Sequence, residues 1–204
     1  MGISERKDRE REDLHRIILN AAREVFLEKG YDQTSIRNIA SKIEYSPTTI
    51  YLYFKDKDAI FYALHEEGFN ILNATMAPLA NVEDPYERLK AMGKVYLAFA
   101  RENPDFYDLM FVQKAPIDFL DDKPWEEGMD AFQGLKMTIE ECVAKGYLDF
   151  EDSEVAAFMI WAAMHGMCAL IDRDRCHIIS EKNQENIVEL GFAAFIKTLD
   201  QFKK

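Results

Sequence analysis

Residues 34–57 read TSIRNIASKIEYSPTTIYLYFKDK, and no other part of the chain says as much about its architecture. Apolar residues recur at helical spacing over 36–43, and either member of the preceding Thr-Ser pair can cap that helix. The polar segment 44–46 is long enough only for a turn. Ser46 then suits an N-cap, and Pro47 suits the first helical position, where its missing N–H costs nothing. The stretch therefore predicts two short helices joined by a tight turn.

The second helix, predicted over 48–54, has one face for the protein core and other faces for solvent. Ile50 and Phe54 are four residues apart, so they share a face and are expected to anchor the helix. A helix-turn-helix reads DNA bases from the N-terminal part of its second helix, which lies in the major groove. Thr48 and Thr49 stand there, and hydroxyl groups can bond to base edges or to phosphates. This arrangement predicts a DNA-binding domain.

The residues after the turn match a known pattern. The series S-P-x-x-I-Y-x-Y-F-x-x-K, beginning at Ser46, resembles the DNA-binding domain of the tetracycline-repressor (TetR) family. That family usually carries glycine where this chain has Glu44, so a slightly different turn is expected. The resemblance implies that Thr34 and Tyr53 hold phosphates and that Lys57 reaches the DNA backbone. It also implies contacts to bases, or to the backbone close to them, from Arg37, Thr48, Thr49 and Tyr51. The alternative is a three-helix core domain whose surface has no DNA partner.

The net charge of −12 is unevenly distributed along the chain. Residues 1–57 carry eleven Lys and Arg against ten Asp and Glu, a balance of +1, whereas 58–204 carry fourteen against twenty-seven, a balance of −13. An acidic body repels DNA and leaves a nearly neutral domain to approach it, which limits non-specific binding. The distribution permits DNA binding and argues against a basic protein that coats nucleic acid.

Length and periodicity predict an all-α chain of about nine helices. Residues 1–57 are expected to form a three-helix, homeodomain-like helix-turn-helix domain with a mobile N-terminal arm, whose basic residues could instead touch phosphates. Residues 58–204 are expected to form a helical effector-binding and dimerisation domain. After the third helix, helices are predicted over 56–79, 85–102, 104–111, 125–145, 154–171 and 181–202, with a loop over 112–124. The chain shows no signal peptide and no run of about 18 apolar residues, so we expect a cytoplasmic protein.

The body carries a second signature. The segments YLAFARENPDFYDLMF (96–111) and WAAMHG (161–166) resemble the C-terminal domain of one TetR branch, named for its Trp-His-Gly motif. That resemblance implies a cavity for a hydrophobic or amphipathic effector, and methionines and aromatic rings suit such a pocket. The predicted pocket residues are Met92, Tyr96, Phe99, Tyr107, Met110, Phe111, Phe132, Trp161 and His165. Each is alternatively an ordinary core residue, and His165 is either a core histidine with one hydrogen bond or a group that orients the effector.

A second copy of the chain is expected from the way helix-turn-helix proteins read DNA. Two reading helices lie about 34–36 Å apart, or at a multiple, over a pseudo-palindromic operator of double-stranded DNA. The last two long helices carry apolar stripes with small residues, which suit a four-helix bundle between two copies. The predicted interface consists of Val155, Met159, Ile187, Leu190, Gly191, Ala194 and Phe195. The alternative is that these faces are buried within one chain.

Two other classes of function are alternatives to an effector-controlled regulator. An enzyme could draw on the sequence cluster His165, Asp172, Asp174 and His177, but the chain has no nucleophile elbow, Walker loop or HExxH motif. A DNA-binding regulator controlled by a protein partner would need no pocket. The three cysteines have unlike spacings, which predict neither a disulfide framework nor a metal site, and no cofactor is expected.

Overall fold

The computed structural model describes residues 3–113 and 126–203, with side chains from Glu5 onward. All regular structure in these ranges is helical, which confirms the all-α class predicted from the sequence. The α-helices are α1 (Ile3–Gln33), α2 (Ile36–Lys42), α3 (Pro47–Tyr51), α4 (Lys57–Met76), α5 (Pro85–Glu102), α6 (Pro104–Phe111), α7 (Glu126–Ala144), α8 (Ser153–Asp172), α9 (Glu181–Gln184) and α10 (Ile187–Leu199). Short 3-10 helices cover Ala77–Asn81, Cys176–Ile178 and Asp200–Phe202.

The chain folds into two compact units. The first comprises residues 1–68 together with 105–124, and the second comprises 69–104 together with 125–204. The first unit therefore contains α1 to α3, the first part of α4 and most of α6. The boundary predicted at residue 57 was drawn between two functions, DNA binding and effector binding. The two units are defined instead by the contacts within each of them, so the functional boundary stays a prediction.

Branched and aromatic side chains form the core of the first unit. Ile18 of α1, Ile39 of α2, Ile50 of α3 and Phe61 of α4 are all fully buried. Along α1, Ile18, Ala21, Ala22, Val25 and Phe26 are buried, whereas Ile17 is exposed. The core therefore takes one face from each of the four helices, which leaves their outer faces for other contacts.

Polar side chains cap the N-terminal ends of α2, α3 and α4. Ser35, Ser46 and Asp56 each accept a hydrogen bond from the backbone N–H three residues later, at 3.2, 3.1 and 2.9 Å respectively. Each cap satisfies an amide group that the start of a helix leaves unpaired. Of the two residues that could cap α2, the structure selects Ser35.

The turn between α2 and α3 runs through Glu44, whose φ of 58° is left-handed. Its N–H donates to the carbonyl of Ser41 at 3.4 Å, and the N–H of Tyr45 donates to the carbonyl of Ala40 at 3.0 Å. This is the Schellman arrangement, in which glycine normally takes the left-handed position. The backbone thus keeps the conformation of a glycine turn, and the different turn expected from Glu44 is not found. The Cβ of Glu44 makes that conformation unfavourable by about 1–2 kcal/mol.

Helix α6 joins the first unit through a partly buried ion pair. Arg23 of α1 donates from Nε and from Nη2 to the two carboxylate oxygens of Asp105, the Nη2 bond measuring 3.0 Å. The guanidinium carbon also lies 4.3 Å from the centroid of the Phe106 ring. On the other side, a Cβ added to Gly68 of α4 would lie 2.5 Å from the sulfur of Met110, so only glycine permits this approach. A bidentate pair and a close packing contact therefore fix α6 on α1 and α4.

The second unit packs α5, α7, α8 and α10 around an apolar core. Its buried members are Tyr86, Leu89, Ile139, Cys142, Leu148, Ala156, Ala157, Ile160 and Leu199. A Cβ added to Gly93 of α5 would lie 2.7 Å from the ring of Phe192, so glycine brings α10 close to α5. The hydroxyl of Tyr86 donates to Asp200 at 2.8 Å, which ties the end of the chain to the start of α5.

Two predicted helices have different ends in the structure. The helix predicted over 48–54 is shorter, because α3 ends at Tyr51 and the next two residues form a turn. The helix predicted over 181–202 is divided into α9, α10 and a 3-10 turn, since the backbone leaves helical geometry at Asn186 (φ −119°, ψ 23°).

Two segments were predicted to lack regular structure, the N-terminal arm and the loop over 112–124. The segment predicted to be a mobile arm belongs to α1 from Ile3 onward, and within it Arg6 pairs with Glu10 at 3.4 Å. The loop predicted over 112–124 lies almost entirely outside the described residues.

Helix α8 is apolar along most of its length. It has 20 residues and a mean hydropathy of 1.6, so by length and composition it could cross a membrane, and 28% of its apolar stretch is buried. One such helix is weak evidence for a membrane span, because the core helices of soluble proteins pass the same test. Several apolar side chains of α8 are exposed in the single chain, among them Val155, Phe158 and Met159.

We expect Glu44→Gly to stabilise the protein by about 0.5–1 kcal/mol. Glycine removes the left-handed penalty, and the greater freedom of glycine in the unfolded chain offsets part of that gain. Urea denaturation of both proteins would measure the difference. Glu44→Ala is the control, because it removes the charge and keeps the Cβ. If the alanine variant is stabilised as much as the glycine variant, charge and not backbone conformation is responsible.

A buried histidine on α4 makes the stability depend on pH. His65 is 1% exposed and its ring stacks on Tyr62, with centroids 6.4 Å apart. Burial lowers the pKa of His65 to about 4, because desolvation disfavours the charged imidazolium. The unfolded chain binds a proton at this side chain near pH 6.5, whereas the folded chain does so only near pH 4. Acid therefore favours the unfolded chain.

We expect the free energy of unfolding to fall by roughly 3 kcal/mol from this group as the pH drops from about 6.5 to about 4. The contribution of His65 to stability is fully present above the pKa that this side chain has in the unfolded chain. It is lost as the pH falls from there toward the pKa in the folded chain. Urea denaturation at several pH values should give a flatter profile for His65→Leu than for the wild type. His177→Gln, at an exposed position, is the control and should keep the wild-type profile within about 0.5 kcal/mol. Identical profiles for all three proteins would refute the assignment to His65.

Candidate DNA-binding surface and effector-site residues

Helix α3 carries three of the seven predicted DNA-binding residues, and Tyr53 follows shortly after its end. Thr48 and Tyr51 are exposed, the latter to 56%, while Thr49 and Tyr53 are half-buried. The hydroxyl of Thr49 lies 2.9 Å from that of the cap residue Ser46, so the two can share a hydrogen bond. The structure therefore groups these four predicted contacts on and beside the short second helix.

Arg37 and Thr34, both predicted to contact DNA, differ in their surroundings. Arg37 of α2 is exposed, and within the described ranges no carboxylate forms an ion pair with it. Thr34 is only 2% exposed, and its hydroxyl donates to the carbonyl of Gly30 at 2.8 Å. The Thr34 hydroxyl is thus engaged in joining α1 to α2, and its role as a phosphate contact stays a prediction.

Lys57 is held by Tyr31. Its ammonium donates to the backbone carbonyl of Tyr31 at 2.9 Å and lies 3.9 Å from the centroid of the Tyr31 ring. The ring stands edge-on to Phe61 at 4.7 Å, and its hydroxyl donates to Asp58. These contacts restrict the Lys57 side chain while leaving it half-buried, so that part of the ammonium remains accessible.

Three further residues lie on this surface but were not among the predicted DNA contacts. Leu52 is 74% exposed, Tyr45 is exposed in the turn, and Lys55 is exposed just after α3. Leu52 follows Thr48 by four residues, a spacing that places both on the outward face. The outward surface around α3 is therefore larger and more apolar than the surface formed by the predicted DNA-binding residues alone.

Four of the predicted pocket residues meet in the second unit. The indole N–H of Trp161 donates to the hydroxyl of Tyr96 at 3.2 Å, and that hydroxyl lies 3.4 Å from Nδ1 of His165. The ring of Phe132 stands edge-on to Trp161, with centroids 6.3 Å apart. Burial lowers the pKa of His165, so its imidazole is neutral at physiological pH. We call Tyr96, Phe132, Trp161 and His165 the Trp-His cluster.

The other predicted pocket residues divide between the two units. Met92 and Phe99 belong to the second unit, where Phe99 is buried and Met92 half-buried. Tyr107, Met110 and Phe111 belong to the first unit, and the first two are fully buried in its core. Their assignment to an effector pocket stays a prediction.

Helices α8 and α10 expose much of the predicted dimer interface. Val155, Met159, Leu190 and Ala194 are exposed in the single chain, and the other three predicted residues, Ile187, Gly191 and Phe195, are half-buried. Phe158, which the sequence analysis missed, is 61% exposed. Both helices therefore expose large apolar side chains in the single chain.

The residues of the enzyme alternative do not form one site. Nε2 of His177 lies 2.9 Å from Asp174, and both side chains are exposed. Cys168 is buried, and burial raises the pKa of its thiol to about 12, so the nucleophilic thiolate is suppressed. The described residues contain no group of three His, Cys, Asp or Glu side chains arranged to hold a metal ion.

Comparison with known families agrees with this geometry. Residues 18–64 match the model of bacterial regulatory proteins of the tetR family, which covers the helix-turn-helix. Residues 89–195 match the model of the tetracyclin repressor-like C-terminal domain, which covers most of the second unit. The narrower Trp-His-Gly branch stays a prediction.

Individual relatives point the same way. An HTH-type transcriptional repressor of Mycobacterium tuberculosis is 44% identical over 52 residues, 26% of this chain and 28% of that protein. The fatty acid metabolism regulator protein of Bacillus subtilis is 34% identical over 84 residues, 41% of each chain. The chain thus spans less than half the length of these curated relatives.

A solved structure shares the fold over nearly the whole chain. The putative TetR-family transcriptional regulator of Syntrophomonas wolfei superposes with a TM-score of 0.73 at 24% identity, covering 94% of this chain and 96% of that one. The two matching family models together cover the reading helix and most of the body, and they describe DNA-binding regulators rather than enzymes. This chain belongs to the TetR family of helix-turn-helix transcriptional regulators.

Proposed function

We propose that the protein is a one-component repressor whose affinity for its operator falls when a hydrophobic or amphipathic small molecule binds the C-terminal domain. The proposal that the protein binds an operator rests on helix α3, which is capped by Ser46, anchored by Ile50, and presents Thr48 and Tyr51 to solvent. Regulators of this family are soluble proteins that bind DNA operators and typically act as dimers. We place the protein in the cytoplasm, where its operator lies.

The DNA-binding surface is assigned to both sides of the turn. Thr48, Thr49 and Tyr51 would face bases or nearby backbone from α3, with Arg37 reaching in from α2. Tyr53 and Lys57 would hold phosphates, and positively charged or hydroxyl groups suit such contacts. The restricted geometry of Lys57 on Tyr31 supports this role, because an already ordered side chain loses less entropy on binding.

The effector site is assigned to the surroundings of the Trp-His cluster. Aromatic rings there offer apolar contact, while the Tyr96 hydroxyl and the neutral His165 offer hydrogen bonds for a polar group. One relative is named for the regulation of fatty acid metabolism, which makes acyl compounds the first class to test. The predicted neighbours Met92 and Phe99 would extend the apolar surface.

The dimer is assigned to the exposed faces of α8 and α10. Their outward apolar residues would form a four-helix bundle with the same faces of a second copy, an isologous arrangement. Two copies would place two α3 helices over the halves of a pseudo-palindromic operator. The apolar character of α8 is then that of an interface helix.

Control by the effector would be a shift between two populations. An effector that prefers the conformation with unsuitably spaced reading helices lowers DNA affinity, and its effect cannot exceed its differential affinity for the two states. The alternative is a regulator that responds to a protein partner. That alternative predicts no release of DNA by any small molecule.

We expect Lys57→Ala to weaken binding to operator and to random DNA alike. Loss of one phosphate contact should lower the slope of log affinity against log salt concentration by about 1. Fluorescence anisotropy over a salt series would measure both quantities, and circular dichroism would confirm folding, since the variant also loses its contact with Tyr31. Lys94→Ala, at an exposed site on α5, is the control. An unchanged slope in Lys57→Ala would exclude the phosphate contact.

We expect Leu190→Glu to convert the dimer into a folded monomer. Two facing carboxylates at the two-fold interface would lose water on association, which disfavours the dimer. Sedimentation velocity measures the mass. The control is Met137→Glu, which places the same charge on an exposed apolar position of α7 and should leave the dimer intact. A Leu190→Glu protein that remains dimeric would move the interface elsewhere.

We expect fatty acids or their coenzyme A esters to release the operator and to quench the fluorescence of Trp161 at the same concentrations. Trp125→Phe makes Trp161 the single tryptophan of the chain. Tyr96→Phe should raise the effector concentration needed for release roughly two- to tenfold through loss of one hydrogen bond, without changing operator affinity in its absence.

Tyr147→Phe is the matched control, since that tyrosine lies outside the Trp-His cluster. A change of operator affinity in Tyr96→Phe without effector would show that the hydroxyl is structural. If no acyl compound or other small molecule releases the DNA, the regulator controlled by a protein partner is favoured.

A further inference from the structure

Leu52 is an apolar side chain that the fold holds away from the core. Its N–H donates to the carbonyl of Thr49 at 3.2 Å, and two residues later the N–H of Phe54 donates to the carbonyl of Ile50 at 3.0 Å. Leu52 follows the buried Ile50 by two residues, which turns its side chain by about 200° around the helix axis. It cannot join the core unless the end of α3 unwinds, and it is 74% exposed as a result.

The position of Leu52, more than its exposure, makes it informative. A single exposed leucine on a protein surface is ordinary. Leu52, however, shares the outward face of α3 with Thr48, four residues earlier, and adjoins Tyr51. That face adjoins Thr48 and Tyr51, which are assigned above to the proposed DNA-binding surface. Because the second helix of a helix-turn-helix lies in the major groove, the groove would occupy the space in front of Leu52 in the proposed complex.

Chemistry then restricts what Leu52 can recognise. Its side chain has no hydrogen-bond donor or acceptor, so it can distinguish bases only by apolar contact. In the major groove adenine, guanine and cytosine present donors and acceptors, whereas thymine also presents its C5 methyl group. We infer that Leu52 is a specificity-determining residue that packs against the methyl group of a thymine in each half of the operator. This inference rests on the proposed operator binding.

The expected effect is modest and has a distinct signature. Burial of one methyl group corresponds to roughly a fourfold change in affinity, or about 15-fold when both halves of the operator lose it. An apolar contact releases no counterions, so the salt dependence of binding should stay as in the wild type. This separates Leu52 from Lys57, whose loss should change the salt dependence.

The test replaces the methyl group in the DNA and the leucine in the protein. The operator is first selected from random-sequence duplexes with the full-length protein. Each thymine is then replaced, symmetrically in both halves, by deoxyuridine, which lacks only the C5 methyl group. We expect one position at which the replacement weakens wild-type binding about 15-fold and leaves Leu52→Ala binding unchanged. Because Leu52 is exposed, Leu52→Ala should keep the wild-type fold, which circular dichroism would check.

Leu27→Ala is the matched control, since Leu27 of α1 is 59% exposed and lies off α3. It should show the same deoxyuridine penalties as the wild type. The inference is overturned if every penalty is equal in wild type and Leu52→Ala, or if Leu52→Ala weakens all duplexes uniformly. Failure to select any sequence would instead refute the proposed operator binding, and the inference with it.

Discussion

Two buried side chains, Ile50 and Phe54, hold the five-residue helix α3 in place, and the DNA-binding surface depends on them. A helix of this length is not stable alone in water. Its start is set by Ser46 and Pro47, and its rotation is set by the two buried anchors. Once that rotation is set, the remaining positions can only point outward, which is how Thr48 and Leu52 come to share a face.

The first unit, which contains the helix-turn-helix, is not a contiguous piece of the sequence. Asp105 and Met110 lie far along the chain from α1 and α4, yet an ion pair to Arg23 and a close contact with Gly68 bring α6 against them. The Asp105 carboxylate is buried, so removing its partner would leave an uncompensated charge. The contacts of Arg23 and Gly68 therefore hold α6 against α1 and α4 within this unit.

The second unit joins a well-packed interior to an unusually apolar exterior. Ala156 and Ile160 of α8 are buried, while Phe158 and Leu190 are exposed in the single chain. A helix apolar on most of its circumference is expected where two surfaces must be covered, one within the chain and one by a partner. The proposed dimer would cover the second surface.

The sequence alone determined the helical class, the helix-turn-helix and its caps, because these depend on periodicity and on side chains within four residues of each other. Ser46, Pro47 and Ile50 act locally, so their roles could be predicted. Resemblance, rather than spacing, assigned Tyr96 and Trp161 to one predicted pocket, and that assignment stays a prediction.

Tertiary structure alone decided which side chains are already engaged. Thr34 and Lys57 have the residue types of phosphate ligands, but their hydrogen bonds to Gly30 and Tyr31 depend on how α1 packs against the neighbouring helices. The same holds for Tyr107 and Met110, which belong to the first unit although they lie within the range predicted for the effector-binding domain. Such contacts join residues distant along the chain, and local patterns carry no information about them.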